Sequence, residues 1–404
     1  MIRYVLYLRS LAAAGEAAIE LGLVVVVWQA THSGLALGGM LAIPWMASLI
    51  SQGLAPLWID RVERLVVMQW ANRLRTILAA IAGIVLIDLN TGIVIELLAI
   101  LLAGIAMSQN AHNDAFQALT PTIAQAASLD LRRLVSRIQM AESLAAGGIY
   151  ASGALWLLGG GSPAMLWAVA AASFGLAGIG RLAPTATPAP SLPLQDRSDP
   201  GAYRTIGTFW RSHPVVLIWT LISVVLSAAI VGANVLLAPA LSQLWGVSVA
   251  RGYGWVLLAI AVGGVFGGKI VDNRRWNRLV LARHVQIAVS SLGLIFIAAS
   301  LVHHVLSALG LLILSGIAAA LMARAVALSI QAAAPEAIRG RVMALRALGM
   351  LLGAGIGSVI AGMFVQWAGP QVALMGWGLG LMGLGLTTGR VSHVALPRFW
   401  HRAR

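Results

Sequence analysis

The chain has 404 residues, of which 59% are hydrophobic, only 10% are charged and 44 are glycine. This composition excludes a water-soluble globular protein and favours a chain that crosses a membrane many times. Cysteine is absent, which excludes disulfides, thiolate metal sites and cysteine nucleophiles.

Long apolar stretches separated by short polar breaks predict transmembrane helices along the whole chain. A helix needs about 20 mostly apolar residues to cross a hydrocarbon core about 30 Å thick. The alternating segments of about ten residues that build membrane barrels are lacking, so we predict an all-α bundle of twelve transmembrane helices. The predicted spans are 5–28, 35–58, 65–88, 93–117, 135–158, 163–182, 213–237, 249–271, 279–301, 304–329, 341–367 and 370–389.

The twelve spans fall into two halves. The stretch APTATPAPSLPLQDRSDPGAYR at 183–204 is rich in proline and polar residues and predicts a cytoplasmic linker. It separates an N-terminal six-helix bundle (1–182) from a C-terminal one with a short basic tail (205–404). Equivalent features recur at offsets of about 206 and about 212 residues, which indicates two parallel repeats.

The positions of the basic residues explain why the chain carries a net charge of +14. Of the 27 lysine and arginine residues, 25 lie at the N-terminus, in alternate loops, in the linker or in the tail. By the positive-inside rule both termini are cytoplasmic. We therefore expect anionic lipid headgroups, rather than nucleic acid, as the counter-charge. The excess of arginine over lysine suggests a GC-rich bacterial genome. We expect a bacterial cytoplasmic (inner) membrane and no cleavable signal before the first span.

Two charged turns interrupt the apolar sequence at equivalent places: PLWIDRVERL at 56–65 and GGKIVDNRRWNR at 267–278. They resemble the loop of the major facilitator superfamily, Gly-x-x-x-Asp-Arg/Lys-x-Gly-Arg-Arg/Lys. Pro56 and Glu63 depart from this pattern. The resemblance implies a conformational latch in which an aspartate pairs with arginines and caps a neighbouring helix. The residues predicted for this latch are Asp60, Arg61, Arg64, Gly268, Asp272, Arg275, Arg339 and Arg341.

The run PEAIRGRVMAL at 335–345 narrows the resemblance. It is similar to the macrolide-efflux and enterobactin-exporter branch, in which a Pro-acid-x-x-Arg-Gly-Arg-Val run opens the eleventh helix. The resemblance implies export of a small drug-like or siderophore-like molecule in exchange for protons. A Gly-Pro pair usual in the fifth span of antiporters is missing here, since Gly147 and Gly148 lead to Ile149.

Carboxylates inside the spans are the candidate proton carriers. Glu16 and Glu20 lie one turn apart on the first span, where a charge costs at least about 2.5–3.5 kcal/mol. Two such carboxylates repel each other when both are ionised, which makes one of them a candidate to bind a proton. Glu142 in the fifth span is the third candidate. The alternative is a buried polar contact that only fixes helix packing.

The fourth span carries SQNAHNDAFQ, which is too polar for a lipid-facing helix. We interpret Asn110 and Asn113 as lining a substrate cavity, and Asp114 as pairing with Arg73, Arg75 or Arg137. The predicted cavity residues are Gln109, Asn110, Asn113, Asn234 and Arg324.

These patterns predict a secondary transporter of a small molecule and protons, in the lipid bilayer, monomeric and without cofactor or metal. A lipid or lysophospholipid transporter of the same fold is one alternative, and a membrane scaffold that does not transport is another. An enzyme is not expected, because no nucleophile with a base and no metal-ligand cluster is visible.

Overall fold

The computed structural model describes residues 2–54, 63–88, 91–126, 128, 131–179, 214–272, 278–333 and 336–400, apart from some side chains at the helix ends. Every regular element in these ranges is an α-helix. The first six helices are α1 (Ile2–Thr31), α2 (Gly34–Leu54), α3 (Arg64–Asp88), α4 (Thr91–Ala126), α5 (Leu131–Leu158) and α6 (Ala164–Ile179). The next four are α7 (Pro214–Gln243), α8 (Val249–Asp272), α9 (Arg278–Leu301) and α10 (Val305–Ala333).

The last helical segment, Glu336–Trp400, is two helices joined at a bend. Gly369 has φ 76° and ψ 165°, a backbone conformation outside the helical range. Glycine adopts a positive φ without the clash that a Cβ would cause. The bend separates α11 (336–368) from α12 (370–400), so the predicted fold of twelve helices is confirmed.

Nine stretches of the described helices are long and apolar enough to cross a membrane, and one of these, Val342–Thr388, includes both α11 and α12. The apolar helix Ala164–Ile179 is shorter. Because lipid cannot satisfy backbone hydrogen bonds, helices of this composition are the expected spanning elements. The protein is a multi-pass membrane protein.

Helix ends follow the local sequence. Ser33 caps α2, because its hydroxyl accepts a hydrogen bond from the backbone N–H of Ala36 at 3.2 Å. The hydroxyl of Ser162 accepts in the same way from Ala164 at the start of α6, also at 3.2 Å. One predicted end was wrong: α4 does not stop at 117 but continues to Ala126. The added turns carry apolar residues, and Ile123 and Ala124 are buried in a hydrophobic cluster with Ile138 of α5.

The chain forms two compact units, Met1–Leu192 with Val247–Leu258 and Pro193–Gly246 with Ala259–Arg404. We call these the N-terminal and C-terminal units. In the N-terminal unit α1 packs on α5 and α6, α3 packs on α4 and α6, and α2 packs on α4. In the C-terminal unit α7 and α9 both pack on the 336–400 segment, and α9 also packs on α10. The pairing in the second half therefore repeats that in the first.

Glycines allow the helices of the C-terminal unit to approach closely. Gly349, Gly353 and Gly357 lie one turn apart on α11, and a Cβ on any of them would collide with Val224 or Ala228 of α7. Small residues at four-residue spacing are the usual means of close helix packing in membranes.

Gly357→Ala is expected to destabilise the protein by about 1–3 kcal/mol, because the added methyl meets the α7 backbone, which cannot move aside cheaply. Gly380→Ala on α12 is the matched control, since a Cβ there meets nothing within 4 Å. The control is expected to be neutral or slightly stabilising. Melting temperatures in detergent compare the two, and equal melting temperatures would contradict the packing described for α7 and α11.

Candidate functional site

Three charged side chains lie on one face of α1. Arg9, Glu16 and Glu20 are separated by seven and four residues, which brings them to one side of a helix. This helix is largely buried and packs on α5 and α6. Each of the three side chains meets a polar partner from another helix of the N-terminal unit.

Arg9 binds Glu142 of α5. Its Nε donates to Glu142 Oε1 at 2.6 Å, and the two side chains form an ion pair at 2.5 Å. Its Nη1 donates to Asn113 Oδ1 on α4 at 2.8 Å, and its guanidinium lies 4.6 Å from the centre of the Phe116 ring. The guanidinium therefore ties α1 to α4 and α5 at one point.

Arg75 of α3 binds Glu16. The Nη1 to Oε1 distance is 3.0 Å, and the Arg75 side chain is fully buried, whereas 31% of the Glu16 side chain is exposed. Arg75 Nη2 also donates to Asn72 Oδ1, and the guanidinium lies 4.4 Å from the centre of the Phe174 ring. Burying an arginine without a counter-charge is very unfavourable, and this pair also links α1 to α3.

Glu20 has a different partner. The hydroxyl of Tyr150 on α5 donates to Glu20 Oε2 at 2.6 Å. Among the described residues Glu20 forms no ion pair, since the two pairs there join Arg9 to Glu142 and Arg75 to Glu16. Two of the three predicted carboxylates are thus neutralised by arginine, and the third is held by an uncharged donor.

A small cavity lies beside this network, inside the N-terminal unit. It offers about 20 Å³ to the centre of a water molecule, which is room for one or two waters. Polar groups come from Arg9, Gln69, Asn72 and His112, and the wall is completed by Val5, Leu8, Leu65, Met68, Phe116 and Ala177.

His112 is the least satisfied polar group in this wall. Only 2% of it is exposed, and neither ring nitrogen has a hydrogen-bond partner among the described residues. The Met68 backbone lies near the ring, but not in hydrogen-bonding geometry. A water in the cavity would give the imidazole its missing partner.

His112→Leu is expected to cost less stability than Asn72→Leu. The histidine has no protein partner to lose, so its replacement is expected to be near neutral, whereas loss of Asn72 removes an acceptor from buried Arg75 and costs about 1–3 kcal/mol. Melting temperatures of the two variants test this order. The reverse order would show that His112 makes a contact that the structure lacks.

The polar residues of the fourth span take several positions. Asn110 donates to the Ser48 carbonyl of α2 at 2.9 Å, Asn113 accepts from Arg9, and Gln109 is partly buried. The ion pair predicted for Asp114 is wrong for the described residues. Arg75 binds Glu16 instead, and Arg73 lies 5.6 Å from the centre of the Trp70 ring.

In the C-terminal unit two of the predicted residues meet. Arg324 of α10 donates from Nη1 to the Gly268 carbonyl of α8 at 3.3 Å. Asn234 of α7 is partly buried. Their role in a substrate cavity stays a prediction.

Most of the predicted latch cannot be located. Asp60, Arg61 and Arg275 lie outside the described residues, and so do the side chains of Asp272, Arg339 and Arg341. Arg64 is exposed at the start of α3. Gly268 is buried near the end of α8. Within the described part of the chain no three histidine, aspartate or glutamate side chains could hold a metal ion.

The sequence interpretation missed Arg9, Tyr150 and His112 as site residues, and it counted Arg346 among the loop cations. Arg346 of α11 donates from Nε to Ser223 Oγ of α7 at 3.0 Å, well inside two helices. One signal was available for Arg9, which lies two helical turns before Glu16 on the same face.

No protein-family model matches the chain, and no curated protein matches it. Solved structures do match over nearly the whole chain. The nucleoside transporter NupG aligns with a TM-score of 0.75 at 13% identity, covering 96% of this chain and 98% of that one. A bacterial homologue of the human lysosomal transporter Spinster, inward-facing and occupied, aligns with a TM-score of 0.72 at 13% identity, covering 98% and 97%.

A D-xylose-proton symporter aligns with a TM-score of 0.68 at 17% identity, covering 96% of this chain and 95% of that one. At such low identities the likeness concerns the fold alone. All three structures are transporters of the major facilitator fold. This chain has that same fold, with twelve helices in two parallel six-helix repeats.

Proposed function

We propose that the protein is a proton-coupled secondary transporter that exports a small organic molecule by alternating access. Its six-helix halves, 1–182 and 205–404, rock about a substrate bound near the middle of the membrane. The linker 183–204 and both termini are cytoplasmic, in a bacterial inner membrane. The structural likeness to transporters supports transport, and the sequence resemblance to efflux proteins supports export.

The observation that carries this proposal is the set of three carboxylates within the helices of the N-terminal unit. Ionisable groups inside membrane helices are expensive to keep and serve ion or substrate pathways by default. Glu16 and Glu142 each bind an arginine, and Glu20 binds Tyr150. With two arginines and three carboxylates, the network can take up one proton and become neutral.

Glu20 is the carboxylate to which we assign that proton. A proton arriving at Glu16 or Glu142 must compete with a guanidinium 3.0 Å away or closer. At Glu20 it competes only with a phenol hydroxyl, which can rotate and accept a hydrogen bond instead of donating one.

The two ion pairs give the network a second role. Release of Glu16 from Arg75, or of Glu142 from Arg9, would remove the ionic link of α1 to α3 or to α5. A proton that binds Glu20 neutralises a negative charge one helical turn from the Glu16–Arg75 pair. Substrate and proton are then coupled through their different affinities for the two orientations of the transporter. In this proposal the latch residues stabilise one orientation of the two halves. The substrate cavity is lined by Gln109, Asn110, Asn113, Asn234 and Arg324.

Proteoliposomes that contain a pH-sensitive dye test the proposal. Drug-like and siderophore-like compounds are added outside under an imposed pH gradient. We expect at least one compound to change the internal pH at a rate that depends on the protein. If no compound moves protons, yet the protein co-purifies stably with another membrane protein, the scaffold alternative replaces transport.

A further inference from the structure

The C-terminal unit contains arginine inside its helices but no carboxylate there. Beyond residue 200 the sequence has only two acidic residues, Asp272 and Glu336. Asp272 ends α8 and Glu336 begins α11, so both lie at the ends of membrane helices. The interior of this unit can therefore supply no carboxylate to an arginine.

Arg346 lies ten residues or about 15 Å along α11 from Glu336, and four residues after Val342, where the apolar stretch of this helix begins. It shares a helix face with Gly349, Gly353 and Gly357, which contact α7. Arg346 thus points towards α7, where it contacts Ser223.

Ser223 fixes the position of the guanidinium. Its hydroxyl accepts a hydrogen bond from Arg346 Nε at 3.0 Å and donates one to the Trp219 carbonyl at 2.9 Å. The serine is buried, at 3% exposure, whereas Arg346 remains partly exposed. Among the described residues the terminal amino groups of Arg346 have no protein partner, and these groups form the fork that binds planar anions.

In the N-terminal unit, two arginines inside the helices are paired with carboxylates. The pairing of α1 with α5 corresponds to that of α7 with α11. At the first of these interfaces Arg9 has the carboxylate of Glu142, and nearby Arg75 has that of Glu16. At the second interface Arg346 has only a serine. A charged side chain within a membrane helix usually has an ionic partner or faces a cavity, so Arg346 is a candidate to take a partner from outside the helices.

We propose that Arg346, held in position by Ser223, binds the anionic group of the transported molecule, a carboxylate, sulfonate or phosphate. This inference rests on the proposed transport function and adds the substrate class, an organic anion or zwitterion. An anionic lipid headgroup offers the same chemistry, so the experiment has to separate a dissolved anion from a lipid.

The test uses full-length protein in nanodiscs of phosphatidylcholine, which contain no anionic lipid. Calorimetry measures the affinity for three probes of matched shape: 2-naphthoate, 2-naphthylmethanol and 2-naphthylmethylammonium. We expect naphthoate to bind wild-type protein about tenfold or more tightly than the other two, and Arg346→Gln to lose that difference.

Two controls keep the result interpretable. Arg346→Lys keeps the charge and is expected to retain part of the preference, and unchanged binding of the neutral alcohol shows that each variant is folded. In a second set of nanodiscs, phosphatidylglycerol replaces part of the lipid. Competition with naphthoate in wild-type protein, but not in Arg346→Gln, identifies the headgroup as the bound anion, and its absence identifies the dissolved molecule.

The inference is overturned if wild-type protein does not prefer naphthoate, or if Arg346→Gln keeps the preference. Binding is measured without any gradient, so it is independent of transport. A naphthoate site in a protein that moves no protons would refute the proposed function and leave the anion site standing.

Discussion

Glu16→Gln is expected to destabilise the protein by about 3–5 kcal/mol, and Arg75→Met by clearly less. The two changes break the same ion pair but leave different groups behind. Without the glutamate, a guanidinium that is fully buried loses its counter-charge, whereas the carboxylate left behind in Arg75→Met belongs to a side chain that is 31% exposed. The free energy of unfolding in detergent, measured for both variants, shows which of the two changes destabilises the protein more.

A double-mutant cycle isolates the pair itself. The variant with both changes is expected to be more stable than the sum of the single effects predicts, by 1 kcal/mol or more, because no buried charge is left uncompensated. Glu96→Gln, at an exposed position on α4, is the control and is expected to change stability by less than about 0.5 kcal/mol. Equal costs for Glu16→Gln and Arg75→Met would contradict the difference in burial on which this prediction depends.

The number and order of the helices could be predicted from hydropathy because each span alone must satisfy its backbone in lipid. The bend at Gly369 also follows from the sequence, since Gly369-Pro370 is an unfavourable pair inside a helix. The end of α4 could not be predicted, because Pro121, a residue type that usually breaks a helix, follows the predicted span.

The partners of the carboxylates were also beyond the sequence. Arg9 and Glu142 are 133 residues apart, and Arg75 and Glu16 are 59 apart, so only the fold brings them together. Arg9 and Arg75 both satisfy the positive-inside rule, so their presence did not indicate Glu142 or Glu16 as a partner. Arg73 and Arg75 look equivalent in the sequence, but Arg73 is exposed and Arg75 is fully buried.

In the C-terminal unit, the partner of Arg346 could not be predicted from the sequence either. Arg346 lies ten residues inside α11, but a pattern of loop charges cannot distinguish such an arginine from one at a helix end. Its contact with Ser223 joins residues 123 positions apart.

Glu20→Gln is expected to abolish proton movement while leaving the fold intact. Glutamine has the shape of glutamate and can still accept the hydrogen bond from Tyr150, so stability should change little. It cannot bind and release a proton at neutral pH, so coupling through this site is lost. Tyr150→Phe removes only the hydrogen-bond donor, and we expect slower proton movement that still depends on the gradient.

The most direct test compares proton movement in proteoliposomes of wild-type protein, Glu20→Gln and Glu96→Gln, with equal amounts of folded protein and the same transported compound. Glu96 is the matched control because it is a glutamate on a membrane helix whose side chain is exposed. We predict that Glu96→Gln moves protons at the wild-type rate and that Glu20→Gln falls to the rate of liposomes without protein. Wild-type proton movement by Glu20→Gln would contradict the assignment of the coupling proton to Glu20.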